Sequence, residues 1–377
     1  MFHFVIFIIL IMLFSFKRRH TDILILSCFL LFLIWGLNYN MTTDWLGYLQ
    51  TWNRINESSS DIVTKHGDTA YEPMYIAFIR FTKPIGFMGF QILVVAILLM
   101  IVFYSLYKFV LPKYYWLSFY VLICLPGYGL LYVNSLRQTL ALCCCVISTI
   151  LLVRKDRINI GKEMIFSILL IYLASMFHAS AIVTLIVLPL YFIVEKIKIQ
   201  NRIHIILISN ILFFSRFFVD LSEFELLFSD YLMDTSVEGF MYATSDLEPI
   251  SLISPFETFY HFIILNLILL YYDKLSFSLK FMSLLVYVSM LANGFMINTL
   301  SRLLCYFNFY LIIVAPILLY YFLSDRRYIF RFAKFPTLFV IFAYTMFAFL
   351  RSTLFSDFTY YSIWGVYESI FSAPYWM

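Results

Sequence analysis

Long apolar runs alternate with short charged segments along almost the whole chain. They lack the period-two alternation of a membrane-barrel strand, and many are long enough to be helices. Residues 2–16 form the first run and end at Lys17-Arg18-Arg19-His20. A secretory signal carries its positive charge before the apolar core, so this order predicts an uncleaved first span. Further spans are expected at 22–37, 86–107, 114–132 and from Ser135 to 153. The apolar stretch 163–194 is too long for one span, and His178 divides it into two. Spans at 203–219 and 258–272, a pair flanking Asn298-Thr299-Leu300-Ser301-Arg302, and one at 335–350 complete the set. The pattern predicts an all-α polytopic membrane protein of about 12 transmembrane helices. Residues 1–377 form a single transmembrane domain.

The interruptions carry as much information as the runs. A polar segment, 38–72, is followed by Glu72-Pro73, which opens a helix with proline at a first-turn position. That helix breaks at Thr82-Lys83-Pro84 and is too short to span, so it is expected to be interfacial or re-entrant. Pro126-Gly127 predicts a kink. Ser135 and Gln138 have the spacing of a capping box, which predicts a helix start there. The segment 220–257 holds Asp220, Glu223, Glu225, Asp230 and further acids but no Lys or Arg, which places it outside. The loop 38–72 and the tail 351–377 are assigned to the same outer side.

Composition agrees with this layout. Of 377 residues, 63% are hydrophobic and 13% charged, and the mean hydropathy is +0.90, which no soluble domain of this size shows. Aromatic residues make up 21%, more than an interfacial belt alone requires, so some rings are available to line a sugar or lipid groove. The net charge of +4 reflects topology rather than a nucleic-acid partner. The outer side keeps only Arg54, Lys65, Arg80, Lys83, Arg137, Arg216, Arg302 and Arg351, and the other basic residues of the 26 lie in inner loops. The six cysteines all fall in apolar runs, against a disulfide framework or a metal site.

The outer cations are therefore the residues to explain. Arg137 sits where a helix begins, although the helix dipole already presents positive charge there. Free N–H groups, the dipole and a guanidinium on one spot would be reconciled by a phosphate or pyrophosphate. Arg302 has a parallel context, and Arg80 and Arg351 are further candidates for the same anion. The alternative for each is an arginine that only snorkels to headgroups. His178 lies between two apolar runs, where a histidine is costly unless it faces a polar cavity, and it is a candidate general base. Asp44 and Glu72 are alternative bases, each with a helix cap or solvated loop as its plainer reading. Asp44, Tyr48 and Trp52 fall on one helical face, a surface suited to a sugar, and Gln138 joins Tyr48 and Trp52 as a sugar-binding candidate. No P-loop, dinucleotide turn or metal-spaced His/Cys cluster is present in the sequence, so neither a cofactor nor a metal is expected.

At these residues the chain resembles the EpsG-type branch of the Wzy polysaccharide polymerases, which include the O-antigen polymerases of lipopolysaccharide biosynthesis. The matching pieces are Gly36-Leu37, Asp44 and Tyr48, then Tyr71-Glu72-Pro73, Asn134-Ser135-Leu136-Arg137-Gln138 with Ala141, and His178-Ala179-Ser180. The chain departs at Asn38, where a basic residue is expected, and at 40–43, where the family is glycine-rich. The resemblance implies a metal-independent, membrane-embedded glycosyltransferase with a GT-C-like architecture. It would transfer a growing glycan from undecaprenyl pyrophosphate to an acceptor repeat unit at the outer face of the bacterial inner membrane. Its partners would be the lipid-linked oligosaccharide, membrane lipid and a chain-length regulator. In that chemistry Arg137 and Arg302 would stabilise the leaving pyrophosphate. His178, Asp44 or Glu72 would deprotonate the acceptor hydroxyl.

Three other functions share parts of this pattern. A membrane O-acyltransferase would use His178 and an acyl donor. A flippase or transporter of lipid-linked sugar would place its polar residues near the bilayer midplane, whereas here they cluster at the outer rim. A ligase would share the donor and differ in its acceptor.

Overall fold

The computed structural model describes residues 20–39, 45–58, 71–124, 135–153, 160–194, 202–215, 255–292, 305–327, 331–343 and 368–369. Among these the chain is all-α apart from a two-residue antiparallel ladder between β1 (Asn38–Tyr39) and β2 (Glu368–Ser369). Helix α1 (His20–Gly36) leads into β1, so the ladder carries part of the C-terminal tail to the exit of α1. The first run, 2–16, and most of the acidic loop, 220–257, lie outside the described residues.

Helix α2 (Trp45–Glu57) is too polar to cross a membrane. The Arg80 guanidinium donates to the Ser58 carbonyl at 3.5 Å, and Lys83 Nζ donates to the Asn56 carbonyl at 3.2 Å. Two cations thus meet carbonyls left open at the C-terminal end of α2, where the dipole favours them. Helix α3 (Pro73–Thr82) begins at the proline the sequence places there. It does not end in a loop. A 3-10 turn, Lys83–Ile85, and Gly86 at φ 73° join it to α4 (Gly86–Phe109). Pro73–Phe109 is thus one helical stretch of 37 residues, apolar and long enough to cross a membrane. The segment expected to be interfacial or re-entrant is joined end to end to the helix that follows it, with the expected break as the joint. Thr82 Oγ1 bonds back to the Phe78 and Ile79 carbonyls at 2.9 Å, which favours a bend at that joint.

Helices α5 (Tyr115–Cys124), α6 (Leu136–Leu152) and α7 (Ile160–Phe177) follow. At His178 the helix stops, as the sequence predicts, and a 3-10 segment, Ala179–Ile186, turns back and continues into α8 (Val187–Val194). Then come α9 (Arg202–Ser215), α10 (Pro255–Tyr271), α11 (Phe277–Ala292), α12 (Leu311–Ser324) and α13 (331–343). Six shorter apolar helical segments accompany the membrane-length one among the described residues.

Buried polar pairs fix which helices pack together. Ser148 on α6 and Ser167 on α7 each donate to the other's carbonyl, at 3.3 and 3.1 Å. Asn210 on α9 and Asn266 on α10 exchange amide hydrogen bonds at 3.2 and 3.1 Å. Where lipid supplies no hydrophobic drive between helices, such bonds contribute on the order of 0.6 kcal/mol each. The outward surface is apolar, with Ile203, Phe335 and Phe81 at 73%, 78% and 76% exposure, as a surface covered by lipid tails would be.

The contacts sort the helix ends into two groups. At one end the Val153 carbonyl meets Ser278, the Val194 carbonyl meets Tyr272, and Asp325 meets Tyr271, Arg327 and Lys334. That end carries Lys274, Lys280, Arg326 and Lys334. The start of α3, the start of α6 and the break at His178 lie at the other end.

Candidate functional site

The site is assembled where three helix ends converge. Arg137 lies in the first turn of α6 and donates through NH1 to the Glu72 carboxylate at 2.9 Å. Their side chains are 22% and 14% exposed, so the pair is largely withdrawn from solvent. The guanidinium carbon stands 5.6 Å from the Tyr71 ring and 5.5 Å from the Tyr75 ring. Each such contact is worth roughly 0.5–2 kcal/mol, depending on desolvation. The guanidinium also donates to the Tyr48 hydroxyl. Tyr71 in turn shares a 3.0 Å hydrogen bond with Thr51 on α2. Helices α2, α3 and α6 thereby hold one cation among three phenols and a carboxylate.

Ser135 occupies the N-cap position of α6, as its sequence predicts, but its side chain makes no cap bond. The expected capping box is not formed, because Gln138 is buried and turned to distant partners. Its amide donates to Cys305 Sγ at 2.9 Å, and it hydrogen-bonds the Tyr306 hydroxyl. Tyr306 shares a 3.0 Å bond with Ser180 Oγ, which lies 2.6 Å from His178 Nδ1. A continuous chain of polar side chains therefore runs from Gln138 through Tyr306 and Ser180 to His178. Because Arg137 and Gln138 are consecutive, their Cα atoms are about 3.8 Å apart. The cationic cluster and the imidazole network therefore both take off from the first turn of α6. Phe78 on α3 packs edge-on against Phe177 on α7, with ring centroids 6.0 Å apart, and locks these two helices together.

Residues 22–364 match the sequence pattern of the EpsG family. The chain belongs to that family. EpsG proteins are polysaccharide polymerase-like proteins of the Wzy type. With its apolar helices, this EpsG protein is a membrane protein. No curated protein and no solved structure matches the chain.

Within the EpsG protein the residues singled out from sequence fall into three groups. Glu72, Arg137 and Tyr48 come together, and Gln138 and His178 share the adjoining network. Arg80 caps α2, and Trp52 packs edge-on against Phe87 with centroids 6.4 Å apart. Asp44, Arg302 and Arg351 lie outside the described residues. Sequence reasoning assigned no role to Tyr71, Tyr75, Ser180 or Tyr306. Tyr71 is the sequence neighbour of Glu72 at the entry to α3, and Tyr75 follows Glu72 at a spacing of three, close to one helical turn. Ser180 lies inside the His178-Ala179-Ser180 motif. Tyr306 has no local signal, since its partner is 126 residues away.

Proposed function

We propose that this EpsG protein polymerises lipid-linked oligosaccharide repeat units. The acceptor hydroxyl attacks the anomeric carbon of the donor glycan, and the bond from that carbon to undecaprenyl pyrophosphate breaks. The hydroxyl proton passes to His178, with Asp44 and Glu72 as the other candidate bases. The charge released on the diphosphate is met by Arg137, joined by Arg302, Arg80 and Arg351. Arg302 stands three residues before Cys305 in the sequence, the thiol that Gln138 contacts. Tyr48, Trp52 and Gln138 receive the sugars. On this reading the chain crosses the bacterial inner membrane about twelve times with a GT-C-like architecture. The basic end described above is then cytoplasmic and the reaction occurs at the outer face.

One observation carries the reading: a guanidinium held at a helix start beside tyrosine rings, one residue from a hydrogen-bonded network that ends on an imidazole. Deleting the gene in its native strain should leave glycan carrying a single repeat unit on gels. Arg137→Ala should reproduce that phenotype while folded protein stays in the membrane. Long chains from Arg137→Ala would refute the phosphate assignment, and loss of every outward-facing unit on deletion would indicate a flippase. The 2.6 Å Ser180–His178 contact favours a second reading, O-acyl transfer with Ser180 as nucleophile. That reading requires Ser180→Ala to abolish glycan acylation and leave chain length unchanged.

A further inference from the structure

Tyr75 is fully buried in α3, and its hydroxyl has no hydrogen-bond partner among the described residues. An orphaned buried hydroxyl is destabilising, so a fold keeps one where something else satisfies it. Its ring packs in the core, edge-on against Phe90, but its hydroxyl end has polar neighbours. The phenol oxygen lies within electrostatic range of Arg137, Glu72, Tyr48 and Tyr71, and the Arg137 guanidinium faces its ring. Tyr71, whose ring lies 6.2 Å from that of Tyr75, differs in that Thr51 already shares a hydrogen bond with its hydroxyl. Trp52, whose indole N–H is likewise without a partner among the described residues, packs on the Phe87 ring instead. Tyr75 is therefore the one orphan donor in this comparison that sits against the cation at the start of α6.

We propose that Tyr75 donates its hydroxyl hydrogen bond to an oxygen of the diphosphate held by Arg137. The inference rests on the phosphate reading of Arg137 given above. It makes Tyr75 a substrate-binding residue and Tyr71 a part of the wall. Glu72 pairs with the guanidinium. A diphosphate then exchanges one carboxylate contact for a charge-assisted contact with Arg137 and one with Tyr75.

The test uses the full-length protein in detergent and reads its melting temperature against added farnesyl diphosphate, inorganic pyrophosphate or farnesol. The wild type is expected to be stabilised by the diphosphates and unaffected by farnesol. Tyr75→Phe, which removes one oxygen and no volume of consequence, should weaken diphosphate binding by about tenfold. Its melting temperature without ligand should equal or exceed that of the wild type, because the orphan donor is gone. Tyr75→Phe that binds farnesyl diphosphate as well as the wild type overturns this inference and leaves the Arg137 reading intact. Tyr75→Phe that melts lower without ligand also overturns it, since the hydroxyl then has a partner within the chain. A wild type that no diphosphate stabilises, or that farnesol stabilises equally, overturns the Arg137 reading itself.

Discussion

Glu72 and Arg137 are 65 residues apart in sequence, yet their side chains meet at 2.9 Å at the mouth of the helical bundle. The carboxylate solves an electrostatic problem that α6 creates by carrying a cation in its first turn. A lone guanidinium there would oppose the helix dipole, at a cost of roughly 0.3–1 kcal/mol, before any cost of burial. Glu72 offsets both. It also holds α3 to α6 and so fixes the distance from the tyrosine rings to the guanidinium. A residue proposed as a base is thus, in this state of the protein, the counter-ion of a residue proposed to bind phosphate.

This pairing predicts opposite effects on stability and on anion binding. Glu72→Gln keeps the shape of the side chain but removes its charge, leaving the Arg137 cation without its counter-ion. Breaking one partner of a buried pair costs up to about 3–5 kcal/mol, and the 22% exposure of Arg137 puts the expected loss near the lower end or below it. The melting temperature of purified Glu72→Gln should fall by several degrees. Its affinity for farnesyl diphosphate should rise, because the competing carboxylate is gone. Unchanged stability would mean that the pair is not formed in the membrane. Weaker diphosphate binding would mean that Glu72 orients Arg137 rather than competing for it.

The network on the other side of Arg137 yields a graded prediction. Ser180 stands between His178 and Tyr306 and can reverse its hydroxyl to suit either protonation state of the imidazole. When His178 takes a proton, its Nδ1–H donates to Ser180, and Ser180 donates onward to Tyr306. Removing the middle of the chain should disorder the ring without removing the base. On the proposed reading, His178→Ala abolishes chain extension in membranes supplied with lipid-linked repeat units. Ser180→Ala slows it by about 10- to 100-fold, the scale of losses when an orienting partner of a functional histidine is removed. Ser180→Thr, which keeps the hydroxyl, should recover most of that loss. If Ser180→Ala extends chains at the wild-type rate, Ser180 has no orienting role.

These contacts divide cleanly by what a sequence can reveal. The helix start after Ser135 and the break at His178 are local events, written in the interruption of apolar runs, and both are found where expected. The break at Thr82-Lys83-Pro84 is likewise found where expected, as a 3-10 turn after which Gly86 takes the positive φ that redirects the chain into α4. Gln138 is where the local signal and the structure part. Its spacing from Ser135 fits a cap, but the side chain is buried, and two partners from a distant segment outcompete the local backbone. Hydrophobic period marks where helices are and which residues share a face. It does not say which helix each face meets, and the roles of Tyr306 and Cys305 depend on that.

The basic end of the bundle carries a pH-sensitive fastening. Asp325, buried just past the end of α12, accepts hydrogen bonds from the Arg327 side chain and backbone and from the Tyr271 hydroxyl. The bonds from Arg327 hold its carboxyl well below the usual carboxylate range, with Tyr271 adding to them and burial opposing. Arg327 is shifted upward by the same contact, which changes nothing below alkaline pH. A carboxyl whose folded value is depressed contributes its stability above its ordinary value, near 3.9, and loses it as pH falls toward the folded value. The melting temperature should therefore hold steady near neutrality and begin to drop below about pH 4. Asp325→Asn should melt lower than the wild type at pH 7 and should lack the part of the acid slope that comes from Asp325. Arg327 is 54% exposed, so solvent and salt screen the pair, and added salt should narrow the gap between the two proteins without closing it. The buried bond from Tyr271 survives screening. Identical acid slopes for the two proteins would show that this contact does not fasten α10 to α12.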